Sequence, residues 1–527
     1  MSYPNKCNLN ATKMRCKKTD KNSNHCKLIS YNDIWYLQAN HSQMNTSTLK
    51  TAATALLCVL LTGTAPARAA TTDDDHTDFT IRVDKYYNAP VVLAYYFNKQ
   101  MLVKDTVLTD AKGCARFAPA EKYPEGIYVV YFPDKSYFDI ILGDDQTFEL
   151  RCDTMPHMTE RATASGSRIL DEFLKYQKYL AERQQYYKQL DDEFKALDPK
   201  DEAGKERLRE TFRQADATVK ANTEATIERN KDNFLGVFLR ALTDIKIPEF
   251  DIPEEGAARD SILQIKRYYY YRAHYFDNFD LTDGRLLRTP FFIDKVDKYF
   301  TETLPQIADT VAQEAIAFIE KTRPCYEMFR YFVSHLYNMT NNSKIMGMDA
   351  ALVALADRYY LSGEADWVEE KFIEDLRTNV NNIRHILIGQ KAVDLKMISL
   401  TGEWFTLSEV DAPFTILVFW EPSCGHCKKE IPLLKKEIWD KYAQYGIKIY
   451  AVYCQTDKKE WEDFITEHQL EEWMNVYDPY RRTGFRDYYN IKSTPQIFIL
   501  DKDKTIIAKK IGVDQIGGFL DHMLDLK

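Results

Sequence analysis

The feature that most constrains this chain lies in its last quarter, where short apolar runs alternate with amphipathic stretches. FTILVFW (414–420) is followed by a helical pattern from about 425 to 444, IKIYAVYC (447–454), a helix near 458–468 and WMNVYD (473–478). A short helix near 481–489, QIFILD (496–501), TIIAKKIG (505–512) and a final helix near 514–525 complete the series. Apolar runs this short predict buried strands, and their alternation with helices predicts an α/β sheet covered by helices. The last two strands are close enough to form a hairpin across Lys502-Asp503-Lys504.

The first of these strands runs into Trp420-Glu421-Pro422-Ser423-Cys424-Gly425-His426-Cys427-Lys428-Lys429-Glu430. A thiol at the start of a helix faces unpaired backbone N–H groups and the positive end of the helix dipole. Both favour thiolate, so Cys424 is expected to titrate below the free value of about 8.5. Cys427, one turn on, can close a disulfide with it, and such a pair exchanges with partners through a mixed disulfide. An imidazolium at His426 would stabilise the thiolate further, whereas Lys428 and Lys429 add charge that solvent screens. A zinc site wants four ligands, and no second CxxC or HxxxH stands in the chain, so no metal is expected. A purely structural bridge would close so short a loop that it contributes little by loop entropy. A second signal is Ser493-Thr494-Pro495-Gln496, because a Pro entering a strand lacks its N–H and can adopt the cis bond.

A strand, WxxxCGHCxxE, a helix and then a Thr-Pro before a hairpin about seventy residues on: this arrangement resembles the thioredoxin superfamily. In closer detail, Ile388–Ala392, Thr401–Ser408 and LVFWEPSCGHCKKEIP are similar to its extracytoplasmic TlpA/ResA branch. The resemblance covers roughly 389–527. It implies Cys424 as the attacking thiol, Cys427 as the resolving one, and Pro495 as the cis-Pro lying against the disulfide. It also implies that Thr494 offers backbone groups to an extended substrate and that Trp420 borders the same site. Glu430 matches an acidic residue that tunes thiol titration in the ResA-like branch; a first-turn Glu favoured by the dipole is the plainer explanation. Gly425-His426 is the dipeptide of protein disulfide isomerases. The buried Asp that thioredoxin carries six residues before its first Cys is here Val418, and Ser423 replaces its Trp. The Thr that peroxiredoxins need three residues before the reactive Cys is here Glu421, which excludes that chemistry. The implied cofactor is the redox-active cysteine pair itself, with no metal or organic group.

Upstream the patterns differ, and a multidomain chain is expected. Residues 79–153 show short β-branched and aromatic runs punctuated by Asn, Asp, Gly and Pro, which predicts a small antiparallel β-sandwich-like domain. Cys114 and Cys152 fall here, as a disulfide or as two unpaired thiols. Residues 154–165 read as a linker. Residues 166–388 carry apolar residues three and four apart, a central all-α region interrupted at Pro199, Pro248, Pro253, Pro290, Pro305 and Pro324. Later helices are expected near 296–320, 325–339, 348–362 and 364–378. Arg267–Phe276, with four consecutive tyrosines, reads either as a contact surface for a partner or sugar or as rings packed between helices; packing is favoured. Cys325 is expected in the core, and Cys454 ends a strand as a bystander or an extra thiol. The front of this architecture resembles, more loosely, multidomain thioredoxin-like proteins exported by Bacteroides-type bacteria.

The N-terminus bears on location. Residues 1–43 are polar and aperiodic and read as a mis-assigned upstream extension. Met44 opens a signal-peptide layout over 44–69: Lys50, an apolar run near 52–61 too short to span a bilayer, and Ala67-Arg68-Ala69 at its end. A cytoplasmic tail before a signal anchor is the competing layout. Cys58 follows Leu57 inside the apolar run, which argues against lipidation. Removing 1–69 takes away nine basic and two acidic residues, so the exported chain is more acidic than the overall −9. That balance excludes a general nucleic-acid surface, which needs clustered Lys and Arg. Six of ten cysteines remain, too few for a disulfide-stapled scaffold. The expectation is an exported thiol–disulfide oxidoreductase of the periplasm or envelope. Its partners would be cysteine-containing exported proteins and a membrane or periplasmic thiol donor or acceptor. The alternative is an envelope binding or assembly protein that works through its N-terminal domains and keeps the thioredoxin-like part as a docking module.

Overall fold

The computed structural model describes residues 76–152 and 161–526. The expected upstream extension 1–43, the expected signal peptide 44–69 and most of the expected linker lie outside the described residues. The chain divides into two compact units. One runs to Thr243 and takes in Thr289–Phe291; the other comprises Asp244–Arg288 and Phe292–Lys527. The division falls inside the helical region: its first helices belong with the N-terminal sheets, and the rest belong with the C-terminal sheet.

In the first unit, eight strands form two four-stranded sheets: β1 (Phe79–Val83), β2 (Pro90–Phe97), β3 (Gln100–Leu108), β4 (Cys114–Phe117), β5 (Gly126–Tyr131), β6 (Tyr137–Leu142), β7 (Glu149–Cys152) and β8 (Thr163–Ser165). Their orders are β4-β1-β7-β8 and β3-β2-β5-β6. Phe79, Ile81 and Val83 are buried and the residues between them are not, which is the period a strand needs when one face lies on a core. The expectation of wholly antiparallel pairing is corrected at β1 and β7, which run parallel with Ile81 opposite Leu150. Parallel neighbours need a long crossover, and here β2 to β6 supply it.

The same ladder decides the Cys114 and Cys152 question. Cys114 pairs with Arg82 on one side of β1 and Cys152 pairs with Val83 on the other. Consecutive strand residues point to opposite faces. The two thiols therefore lie on opposite faces and two strands apart, about 10 Å at the usual strand spacing. Both are free.

Two long helices follow, α1 (Arg168–Ala196) and α2 (Glu202–Arg229), then α3 (Phe234–Leu242). Each starts where a side chain caps it. Ser167 accepts from the Leu170 N–H, Asp201 from Gly204, and Asn233 from Leu235 and Gly236. α1 and α2 meet along Tyr187, Ala215 and Val219, and the Tyr187 hydroxyl donates to Asp216 at 2.6 Å. Gly236 is required by close approach: a Cβ there would stand 2.2 Å from the Asn230 carbonyl oxygen.

The second unit begins with α4 (Gly256–His274), α5 (Phe292–Lys298), α6 (Ala308–Thr322), α7 (Tyr326–Asn341), α8 (Asp349–Leu355) and α9 (Glu370–Arg384). The single helix expected over 296–320 is two, because Pro305 cannot continue one; a π turn at Tyr299–Thr303 ends the first. The tyrosine tract packs between helices only at its end, where Tyr275 and Phe276 lie against Tyr299 and Phe318. α4 buries none of its residues and Tyr269 is 61% exposed; Tyr275, just beyond the helix, is the ring drawn in. α4 forms one wall of a cleft of about 520 Å³ that Phe276, Tyr299 and Phe318 also line.

The C-terminal sheet has seven strands: β9 (Lys396–Ile398), β10 (Trp404–Thr406), β11 (Phe414–Trp420), β12 (Lys448–Tyr453), β13 (Met474–Tyr477), β14 (Gln496–Asp501) and β15 (Ile506–Lys509), in the order β10-β9-β13-β12-β11-β14-β15. β11, β12 and β13 are parallel, so their carboxyl ends share one edge. β14 and β15 form the expected hairpin. All seven residues of β11 are buried, which is why that stretch is apolar at every position but Thr415. Ile416, Val418 and Trp420 enter one core and Leu417 and Phe419 the other. The helical run beginning with α10 (Cys427–Leu433) passes Pro432 into a π turn at Leu434–Trp439. α11 (Lys458–Glu467) and α12 (Val513–Met523) complete the layers. Lys509 of β15 is 2% exposed; its ammonium pairs with Asp349 of α8 and donates to the Ile386 carbonyl at 2.7 Å, tying helices to sheet. Among the described residues no helix is long and apolar enough to cross a membrane.

Candidate redox site

Cys424 and Cys427 stand at the carboxyl edge of the parallel strands, where β11 gives way to α10. The chain turns at Glu421–His426, and the Cys424 carbonyl accepts the first helical hydrogen bond, from the Lys428 N–H at 3.0 Å. This geometry turns the backbone N–H groups of the turn and first helical residues toward the leading sulfur. Both cysteines are thiols in this structure.

The two sulfurs occupy opposite environments. Cys424 is half-exposed and Cys427 is wholly buried beneath it, packed with Ile431 in the core on that face of the sheet. Burial alone pushes the Cys424 thiol up, but the Cys427 backbone N–H, the His426 backbone N–H and the Cys427 thiol outweigh it. Cys424 therefore titrates below an ordinary thiol. Burial pushes the Cys427 thiol up to about 12, against partial relief from the Glu421 backbone N–H. The pair thus contains one accessible incipient thiolate and one held-back thiol.

Facing them is the segment before β14. Thr494-Pro495 is a cis peptide bond, and the Cys424 Sγ donates to the Thr494 carbonyl at 3.2 Å. β14 pairs antiparallel with β11, Phe419 opposite Gln496, and continuing that register sets Pro495 across from Trp420. Cys424, Cys427, Thr494 and Pro495, named separately from sequence, are therefore brought together.

The other expected residues fare differently. Gly425 and His426 are exposed in the turn. His426 reaches the Cys424 sulfur through its backbone N–H rather than its ring. A Cβ at Gly425 would meet nothing within 4 Å. Glu430 sits half-exposed in the first turn of α10, its backbone N–H donating to the His426 carbonyl at 2.9 Å, and its carboxylate bonds to neither thiol. Trp420 is corrected. It is 0% exposed, packed on Phe464 and Tyr453, because alternation along β11 turns it into the core instead of toward a substrate. Val418, in the place of thioredoxin's buried acid, is also 0% exposed in the same cluster, so no carboxylate rises from that position beneath the pair.

Two residues escaped the sequence reading. The Glu421 carboxylate accepts the Thr494 hydroxyl at 3.0 Å and the Gln455 side-chain amide. A carboxylate directly after a largely apolar strand was a signal available in the sequence; Gln455 offered none. Cys454 is buried, with its thiol pushed up to about 12 by burial, and its backbone N–H donates to the Trp420 carbonyl. Among the described residues no three His, Cys, Asp or Glu side chains are arranged to hold a metal ion.

A mixed sheet with a dithiol at a strand–helix turn, apposed to a cis-Pro, defines a thioredoxin-like domain. Comparison with known proteins agrees. Residues 388–509 match the AhpC/TSA family. The thiol-disulfide oxidoreductase ResA of Bacillus cereus is 26% identical over 139 residues, 26% of this chain and 78% of ResA. Among solved structures, a domain of a possible thiol-disulfide isomerase from Cytophaga hutchinsonii is 40% identical over 27% of this chain and 97% of its own, with a TM-score of 0.25. A thioredoxin-like protein from Bacteroides caccae covers 52% of this chain and 99% of its own at 19% identity, with a TM-score of 0.41. The C-terminal domain belongs to the AhpC/TSA thioredoxin-like family and is homologous to ResA-type thiol-disulfide oxidoreductases.

Proposed function

We propose that this protein is an exported thiol–disulfide oxidoreductase that exchanges disulfides with cysteines of envelope proteins through Cys424 and Cys427. The observation that carries the reading is the asymmetry of the pair: a half-exposed thiol held down by backbone N–H groups above a buried one pushed up to about 12. Acting as a reductant, the Cys424 thiolate attacks one sulfur of a substrate disulfide, forming a mixed disulfide and expelling the other sulfur as a thiolate that takes up a proton. Cys427 then gives up its proton to the medium and attacks Cys424. The intramolecular disulfide forms and the second substrate sulfur leaves as a thiolate. Two electrons pass to the substrate, and its two departing thiolates take up their protons from the medium. The reverse sequence oxidises a dithiol.

Thr494 and Pro495 would dock the extended substrate beside Cys424. The residue pattern of 44–69 supports delivery to the periplasm or envelope, where the partners would be cysteine-containing exported proteins and a thiol electron donor or acceptor. The pair needs no metal or organic group for this exchange. Turnover of insulin disulfides is the test: wild type should reduce them and Cys424→Ser should not, and equal behaviour of the two sinks the reading.

A second reading, envelope binding through the front of the molecule, is favoured by one observation: the exposed tyrosines of α4 beside their cleft. It predicts that full-length Cys424→Ser still retains its envelope partners and that Tyr269→Ala loses them.

A further inference from the structure

We propose that Glu421 is a positioning residue for disulfide exchange: its carboxylate ties together three strand ends and so fixes the Thr494 carbonyl against the Cys424 sulfur. The inference rests on the oxidoreductase reading above. Glu421 is the first residue after β11, Gln455 follows close on β12, and Thr494 stands just ahead of β14. One carboxylate oxygen accepts the Thr494 hydroxyl at 3.0 Å, and the other accepts the Gln455 amide. The Thr494 carbonyl in turn accepts from Cys424 at 3.2 Å, and the Thr494 side chain also lies in reach of both sulfurs.

A carboxylate suits this place for a geometric reason. It is acceptor-only, with two oxygens for two converging donors, and hydrogen bonds to an ionised acceptor are stronger than neutral ones. Without it, the Thr494 side chain loses its anchor at the loop that must present backbone groups to a substrate beside a nucleophile. Exchange needs sulfurs in line and close, so small displacements there are costly. Glu421 touches neither substrate nor the reacting electron pair; it acts through Thr494.

The test compares Glu421→Ala, Glu421→Gln, Thr494→Val and the Glu421→Ala/Thr494→Val double variant. A peptide disulfide and iodoacetamide serve as probes across a pH series, with the plateau rates compared so that thiolate fraction cancels. Glu421→Ala should slow the plateau reaction with the peptide disulfide about tenfold while alkylation by iodoacetamide, which needs no docking loop, changes less than about twofold. Thr494→Val should match that loss, and the double variant should be no slower than either single variant, the signature of one shared interaction. Glu421→Gln, whose amide oxygen still accepts the Thr494 hydroxyl, should recover most of the loss. If Glu421→Gln is as slow as Glu421→Ala although its amide oxygen still accepts the Thr494 hydroxyl, the Thr494 anchor is not what acts, and the positioning role is overturned. Additive losses, or a wild-type rate in Glu421→Ala, overturn it too. A wild type that fails to react with the peptide disulfide at all overturns the oxidoreductase reading instead, so the two failures are separable.

Discussion

Two pairs of cysteines, 114/152 and 424/427, invite the same question and receive opposite answers. In the N-terminal sheet, Cys114 and Cys152 flank β1 but pair with consecutive residues, Arg82 and Val83, so the pleat sends their sulfurs to opposite faces. Burial alone acts on the Cys152 thiol, and it pushes that thiol far up. In the C-terminal domain, Cys424 and Cys427 are separated by one turn, and the strand-to-helix bend that separates them also supplies N–H groups to the first sulfur. Reactivity follows from the donors the backbone turns toward a sulfur, while burial without such donors makes a thiol inert.

The largest effect that could break this contrast is loss of turnover. Cys424→Ser should cut insulin reduction by more than about a thousandfold, since the thiolate is the nucleophile, whereas Cys114→Ser should leave the rate unchanged. A comparable loss in Cys114→Ser would overthrow the division between the pairs. Cys427→Ser should trap Cys424 with its partner as a mixed disulfide resolved by non-reducing electrophoresis. No adduct from a protein whose Cys424 still alkylates normally would remove Cys427 from the resolving role.

A stability test probes the floor beneath the pair. Val418→Asp would bury a carboxylate in an apolar cluster with no partner and should cost about 3 kcal/mol, read as a lowered urea midpoint. An unchanged midpoint would mean that water or a counter-charge reaches the floor.

The pH test sharpens the asymmetry. Alkylation of Cys424 should rise with pH and level off below the ordinary thiol range, because its folded-state value is depressed and the thiolate is already complete above it. Cys427, whose value is about 12, should stay unmodified throughout that range. Mass spectrometry of peptides alkylated at each pH reads both, and simultaneous modification would erase the difference. The smallest effect belongs to Gly425→Ala: with open space at its Cβ, stability should change by less than about 0.5 kcal/mol in a thermal melt.

Much of the C-terminal architecture was legible beforehand. FTILVFW is short enough to read as a strand buried on both faces, and the CxxC three residues beyond it, ahead of a helical pattern, reads as a strand–helix turn. A Pro entering a strand is confined to few positions, and it was the resemblance to the thioredoxin superfamily that set Thr494 and Pro495 beside the cysteines. Less was legible where the decisive partner is remote in sequence. Trp420 seemed to border the site until the pleat placed it in the core. Pro305 split a helix that periodicity had run together. The three-residue strands β9 and β10 carry too few residues for a period to show.

Residue order alone determined that a thiol would stand at a helix start at position 424 with its mate one turn on at 427, because helix starts offer N–H groups whatever surrounds them. Only the tertiary structure decided which carboxylate serves that thiol. Glu430, near in sequence, bonds to neither sulfur, while Glu421 reaches Thr494 across a span of 73 residues. The physical reason is that a hydrogen bond depends on where strand ends converge in space, and strand pairing brings β11, β12 and β14 together from distant parts of the chain.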